Sequence, residues 1–295
     1  MKKYFYFLIV FTLIFFSCTE KINVKLPNSD KKIVIEGTIE NGKYPVISIT
    51  RTFPLFSSGN AANIADFFVM DAKVYVSNGS ITDTLHLAID SNSALGLVYK
   101  GNSILGASGQ SYVLKVVQAG NIYSATTTIP SPIALDSVWW KAFPPEDSLG
   151  FAYAKLTDPI GLGNNYKWYA KRPNRDRRFL APRGSTFDDK FIEGKSFELS
   201  YAKGKDATEN AAPQANTTED DGEHRYYYKK TDTIYIKFCS IDRQSKDFYN
   251  TFESAISSNG NPFASPVTIL GNIDGGALGV WSGMGVTYDT IMPKP

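Results

Sequence analysis

The sequence predicts a mainly β, all-β-class protein: two β-sandwich (immunoglobulin-like) domains, with one short helix in the second. Three observations predict this. Apolar and polar residues alternate over short segments, as at Ala72, Val74 and Val76 or Leu85, Leu87 and Ile89. Turn dipeptides such as Asn78-Gly79 and Gly120-Asn121 follow such segments closely. A helical apolar stripe occurs in one stretch, where Phe248, Phe252, Ala255 and Ile256 fall at i, i+4, i+7 and i+8.

The chain starts with Lys2 and Lys3, an apolar run from Tyr4 to Phe16, and Ser17. As a helix that run would cover about 20 Å, short of the roughly 30 Å of hydrocarbon a spanning helix must cross. Residues 1–17 therefore read as a secretory signal peptide. Cys18 follows the small residue at the cleavage point, which resembles a bacterial lipoprotein signal. The thiol is the expected lipidation site, because a thiolate is the nucleophile that such chemistry needs. Polar residues 18–32 then read as the lipidated tether.

The N-terminal domain is expected over 33–130. Its strands are Ile33–Ile39, Val46–Thr50, Ala72–Ser77, Thr84–Ile89, Tyr112–Val116 and Ile122–Thr128. Ile129-Pro130-Ser131-Pro132 ends the series, since prolines two apart do not sit within a paired strand. The C-terminal domain, 133–295, is expected to hold strands at Leu135–Lys141, Phe151–Leu156, Tyr166–Lys171, Phe197–Ala202, Tyr226–Lys230 and Thr233–Ser240. Charged Arg172–Lys195 and polar Lys203–Glu223 interrupt them as loops. A helix is expected near 243–257, capped by Asp242 and stopped by Asn259-Gly260 and Pro262. The tail from Gly271 to Gly285 is rich in glycine for tight turns and close backbone approach, and gives way to a strand at Val286–Ile291.

Charge and cysteine content narrow the function. The 31 basic and 29 acidic residues include Lys2 and Lys3 of the signal segment, leaving a balanced remainder. Nucleic acid, which requires a basic surface, is not an expected partner. With Cys18 acylated, Cys239 stands alone and no disulfide is expected. No metal or other cofactor is expected. His86 and His224 are far apart, and the Glu219–Glu223 run lacks the alternating ligand spacing of a calcium loop. Gly271 and Gly276 have a phosphate-loop spacing, but Ala277 and Leu278 replace the Lys and Ser/Thr that would hold the phosphate.

Two groups remain as ligand or partner contacts. Arg175, Arg177 and Arg178 belong to a basic cluster that also includes Lys171, Arg172 and Arg183 and is offset locally by Asp176. Trp139 with Trp140, and Tyr226, Tyr227 and Tyr228, place neighbouring aromatics on opposite strand faces, one inward and one available for stacking. No catalytic residue is expected. A hydrolase acting on envelope polymers through Asp188, Asp189, Asp220 or Asp221 is an alternative supported only by the presence of those acids, and an adhesin or structural envelope module is another.

Several segments together carry a resemblance. They are Ile33-Val34-Ile35-Glu36-Gly37, Ile129 to Val138, Asp242 to Tyr249, Asn261-Pro262-Phe263, and Gly271-Asn272-Ile273-Asp274-Gly275-Gly276-Ala277-Leu278-Gly279-Val280-Trp281. With the lipoprotein-like start, these resemble the DUF4249 family of uncharacterised bacterial outer-envelope lipoproteins. The resemblance implies an outer-envelope lipoprotein with an accessory role in TonB-dependent uptake, and the first expectation is a non-enzymatic, lipid-anchored outer-membrane protein. It carries over no catalytic residues.

Overall fold

The computed structural model describes residues 31–52, 66–173, 175–205, 226–258, 265 and 267–292. The first seven strands are β1 (Ile33–Glu40), β2 (Val46–Arg51), β3 (Lys73–Ser77), β4 (Thr82–Ile89), β5 (Leu97–Lys100), β6 (Ser111–Gln118) and β7 (Asn121–Thr128). After the proline-rich stretch come β8 (Ser137–Ala142), β9 (Leu149–Thr157), β10 (Asn165–Lys171), β11 (Thr186–Asp188) and β12 (Ser196–Tyr201). Then follow β13 (Tyr228–Lys229), β14 (Ile234–Ile241), helix α1 (Arg243–Ser258) and β15 (Leu278–Ile291). The protein is mainly β, with one helix among the described residues.

Eleven strands form one large sheet in the order β11-β10-β14-β15-β1-β2-β5-β4-β3-β6-β7. A small sheet holds β12-β9-β13, with β8 also paired to β9. Among the described strand pairs, β1 with β15 is parallel, running from Val34 opposite Leu278 to Glu40 opposite Met284. The other pairs are antiparallel, including β14 with β15. Lys31–Pro295 forms one compact unit. Ile129–Pro132 separates β7 from β8, as its prolines imply. Yet β15, from the segment 133–295, is hydrogen-bonded to β1 of the segment 33–130.

The β15 strand begins eight residues earlier than its alternation suggests, inside the glycine-rich tail. Its glycines let other backbone press against a strand. A Cβ at Gly283 would lie 2.7 Å from the Thr128 carbonyl oxygen, and one at Gly285 would lie 2.2 Å from that of Pro130. Gly279 combines φ of +117° with a would-be Cβ 1.9 Å from the Ile35 carbonyl oxygen, so a side chain there is excluded both sterically and conformationally.

Two main cores follow. The first lies inside the curl of β1–β7, where Ile35, Ile39, Ile47, Val74, Val76, Leu114 and Val116 are fully buried. The curl brings β7 back to β15. Gly283 N donates to Thr127 Oγ1 at 2.7 Å, and Ser124 bridges to Asp274. Trp281 of β15 fills this core. The second core lies between the sheets. Tyr166, Trp168, Ile236 and Phe238 from the large sheet meet Trp140, Ala152, Ala154, Leu156 and Tyr228 from the small one. A third, smaller cluster of Cys239, Ile241, Met284 and Val286 packs with Tyr169 of β10 and Tyr249 of α1.

The helix starts where its cap predicts, with Ser245 N donating to Asp242 Oδ1 at 2.7 Å. Its stripe is buried at Phe248 and opens to solvent at Ile256, so only the first turns are seated on the sheet.

Candidate functional site

Alternation along β9 puts Ala152, Ala154 and Leu156 in the second core and turns Phe151, Tyr153 and Lys155 outward. On β8, Trp139 stands opposite Tyr153, and Lys141 opposite Phe151. The Trp139 and Tyr153 rings stack at 5.7 Å with 24° between their planes. Lys141 Nζ lies 5.5 Å over the Tyr153 ring, a cation–π contact. Just past β8, Phe143 stacks on Tyr227 at 5.2 Å, and Phe151 meets Tyr227 at 5.1 Å. Five rings thus share the outer face of the small sheet. Next to them on β12, Ser200 stands opposite Tyr153 and Glu198 opposite Lys155. The face offers ring planes, ammonium, hydroxyl and carboxylate groups side by side. That mixture suits reversible contact with a partner carrying rings or apolar side chains.

The predicted aromatics divide between the two faces. Trp139, Tyr226 and Tyr227 are at least partly open to solvent, and Trp139 and Tyr227 join the strip. Trp140 and Tyr228 are corrected out of the contact set, since both are buried in the second core. The Trp140 indole N–H donates to the Tyr228 carbonyl oxygen at 3.2 Å, which satisfies the polar end of a buried ring. Phe143, Phe151 and Tyr153 were not among the predicted contacts. The alternation Phe151-x-Tyr153 was the signal that could have found two of them.

The predicted basic cluster is drawn apart by contacts within the protein. Arg172 is buried against Asp176, with Nη2 to Oδ1 at 2.7 Å and Nε to Oδ2 at 3.1 Å. Arg175 Nε lies 3.8 Å from Asp232. Arg177 Nη2 donates to the Ala94 carbonyl oxygen at 3.1 Å. Arg178 stands near Glu36, whose carboxyl is pushed up by burial against the pull of that guanidinium. Arg175, Arg177 and Arg178 therefore help pin their loop to the body, and do not converge on one anion.

The carboxylates are committed as well. Asp188 accepts from Lys246 Nζ at 3.0 Å, and that hydrogen bond holds its carboxyl below the usual range. Buried Asp189 accepts from the backbone N–H groups of Gly163 and Asn164, each at 2.8 Å. Cys18, Asp220, Asp221 and His224 lie outside the described residues. Among the described residues, no three or more His, Cys, Asp or Glu side chains are grouped to hold a metal ion.

On the opposite side of the second core, the large sheet carries a charged network. Glu40 is paired with Lys237 at 2.5 Å and with Lys43 at 2.8 Å, and accepts from Tyr288 Oη at 3.1 Å. Burial opposes ionisation of Glu40, but the two ammoniums hold its carboxyl down at about 2. Cys239 is buried nearby, and its thiol is pushed up to about 12 by loss of solvent. Lys167 donates to Thr186 Oγ1 at 2.9 Å, and burial lowers its ammonium to about 8.

Two of the described segments that carry the family resemblance, around Gly37 and around Trp281, meet in space. A Cβ on Gly37 would lie 2.7 Å from the Trp281 ring. The Asn272 amide donates to the Trp281 carbonyl oxygen and accepts from its N–H, both at 2.8 Å. Asp242 Oδ2 accepts from Thr127 Oγ1 at 2.6 Å. These residues build the seam around β15, away from the aromatic strip.

No curated protein matches the chain. The residues of this seam fall within the stretch 19–289 that matches one family, and the chain belongs to it: the domain of unknown function DUF4249.

Proposed function

We propose that the protein is a non-enzymatic lipoprotein of the outer membrane, anchored through Cys18, that serves as an accessory binding protein for a TonB-dependent uptake receptor. The observation that carries the binding role is the aromatic strip of Trp139, Tyr153, Phe143, Phe151 and Tyr227 on the outer face of the small sheet. Rings stacked on one another and braced by strand pairing are already ordered, so a partner loses little entropy in meeting them. The anchor rests on the sequence, where an apolar leader precedes Ser17-Cys18.

The test has two arms. Growth with labelled palmitate should label the protein, and Cys18→Ala should abolish the label; a parent chain that takes up no label removes the anchor. Affinity capture from detergent-solubilised membranes should recover a transport barrel, and Trp139→Ala with Phe143→Ala should cut that recovery at least tenfold. Recovery of cell-wall or matrix components in its place would favour an adhesin. Turnover of an envelope polymer, abolished by a single Asp→Asn change, would favour a hydrolase.

A further inference from the structure

Two loops share one end of the protein. The first, residues 158–164, joins β9 to β10; the second, residues 189–195, joins β11 to β12. They present large apolar side chains to solvent. Ile160 is 93 % exposed, Leu162 68 % and Phe191 81 %. Exposure this high means the side chains project from the surface and do not line a groove.

The loops beneath them are latched. Asp189 accepts from Gly163 N and Asn164 N. Glu193 Oε1 accepts from Gly161 N at 3.3 Å, and Asp158 Oδ2 accepts from Gly194 N at 3.2 Å. Backbone bonds run both ways, from Asp158 N to the Lys195 carbonyl and from Asp189 N to the Asn164 carbonyl. Every acid of the two loops is thereby turned toward backbone amides. The lysines face out: Lys190 and Lys195 are exposed, and Lys190 Nζ lies 5.5 Å over the Phe191 ring.

We propose that this tip is a membrane-contact site, inserting Ile160, Leu162 and Phe191 among lipid chains while Lys190 and Lys195 meet the phosphates of an anionic bilayer surface. Apolar tips with flanking lysines match the layering of a bilayer interface, with acyl chains below charged headgroups. A protein partner fits the tip less well. A specific protein interface buries roughly 800 Å² on each partner, more than three projecting side chains supply. A fluid medium closes around separate projections without needing a matched groove. The contact does not depend on the Cys18 anchor, and would set how the tethered body lies on its membrane.

The test uses the chain from Thr19 onward, which holds the whole compact unit and lacks both the apolar leader and the acylation site. Co-sedimentation is measured with vesicles of phosphatidylethanolamine and phosphatidylglycerol, and with vesicles of phosphatidylcholine alone. Binding is expected on the anionic vesicles. It should fall at least tenfold in Ile160→Ser with Phe191→Ser, and severalfold in Lys190→Glu with Lys195→Glu, with the charge effect largest at low salt. Circular dichroism should leave both variants folded, since the altered side chains touch solvent. A single Ile160→Trp variant supplies a second readout, because brominated lipid should quench its added fluorescence. No binding by the parent chain, equal binding by the apolar variant, or an unquenched Trp would overturn the site. So would a dimer, seen by ultracentrifugation of the parent, that Phe191→Ser abolishes. Palmitate labelling at Cys18 would stand or fall separately.

Discussion

The two main cores of this protein are filled in different ways. The first, within the curl of β1–β7, is largely β-branched and aliphatic, with Ile35, Ile39, Ile47, Val74, Val76 and Val116 at its centre. The second mixes large rings with alanines: Tyr166, Trp168 and Phe238 of the large sheet meet Ala152 and Ala154 of the small one, with Trp140 and Tyr228 beside them. β-Branched residues suit a sheet that curls on itself, where side chains pack on their cross-strand neighbours. Two facing sheets have a gap to fill, and large rings opposite small residues fill it without overpacking. The second core also brings polar atoms with its rings. The Trp140 N–H reaches the Tyr228 carbonyl, and the Tyr166 hydroxyl donates to buried Asp158. A change in the first core costs mainly volume, whereas one in the second can also strand a polar group. The cores are not separate, because Trp281 of β15 belongs to the first and Ile291 of the same strand to the second.

Trp281→Ala is the strongest way to break this comparison. It empties a fully buried site and removes the donor to the Tyr112 carbonyl oxygen at 3.0 Å. The expected loss is about 3–5 kcal/mol, read from the denaturant midpoint. The remaining tryptophans, Trp139, Trp140 and Trp168, all lie in the second half, and their fluorescence should shift in the same transition as the far-ultraviolet signal. Two separated transitions would mean that the cores unfold independently.

The charged staple gives the next effect. The Glu40 carboxyl lies at about 2 in the folded protein against an ordinary 4.5, so its contribution is fully present above about pH 4.5 and is lost as pH falls toward 2. A contribution of about 3 kcal/mol follows. Denaturation midpoints measured across that acid range should fall steeply, and Glu40→Gln should flatten the slope. An unchanged slope in the variant would show that the staple does not bind β1 to β14 energetically.

Asp242→Ala should have the smallest effect, about 1–2 kcal/mol. The residue caps α1 and also receives the Thr127 hydroxyl, joining the helix to the edge of the first core. Asp242→Asn should recover most of the loss in thermal midpoint, because the amide oxygen can still cap. Equal loss in both variants would assign the effect to the charge.

Much of the β-rich pattern was legible because alternation is local. Val74 and Val76 point inward and Lys73 outward as their spacing requires, and Asn78-Gly79 turns the chain, with Gly79 at φ +91°. The helix and its Asp242 cap were legible for the same reason. Strand pairing between distant segments was not, since nothing local marks β15 as the neighbour of β1. Its length was hidden too, because Gly279, Gly283 and Gly285 lower apolar alternation where backbone must approach closely. In the candidate site, adjacency showed that Trp139 and Trp140 face opposite ways, but only the pairing with β9 decides which is outside. The arginines misled for a different reason. Their density along the chain resembled one anion site, while Asp176 within the run, and the distant Asp232 and Ala94 carbonyl, take them separately.

The placement of β15 has a consequence for the order of assembly. Its indole completes a core built otherwise from strands near the start of the chain, so that core stays open until β15 has been synthesised. Contacts this distant in sequence slow folding, because loop closure comes before their gain. Before β15 emerges the first core would remain unclosed, and its arrival would tie the two halves together.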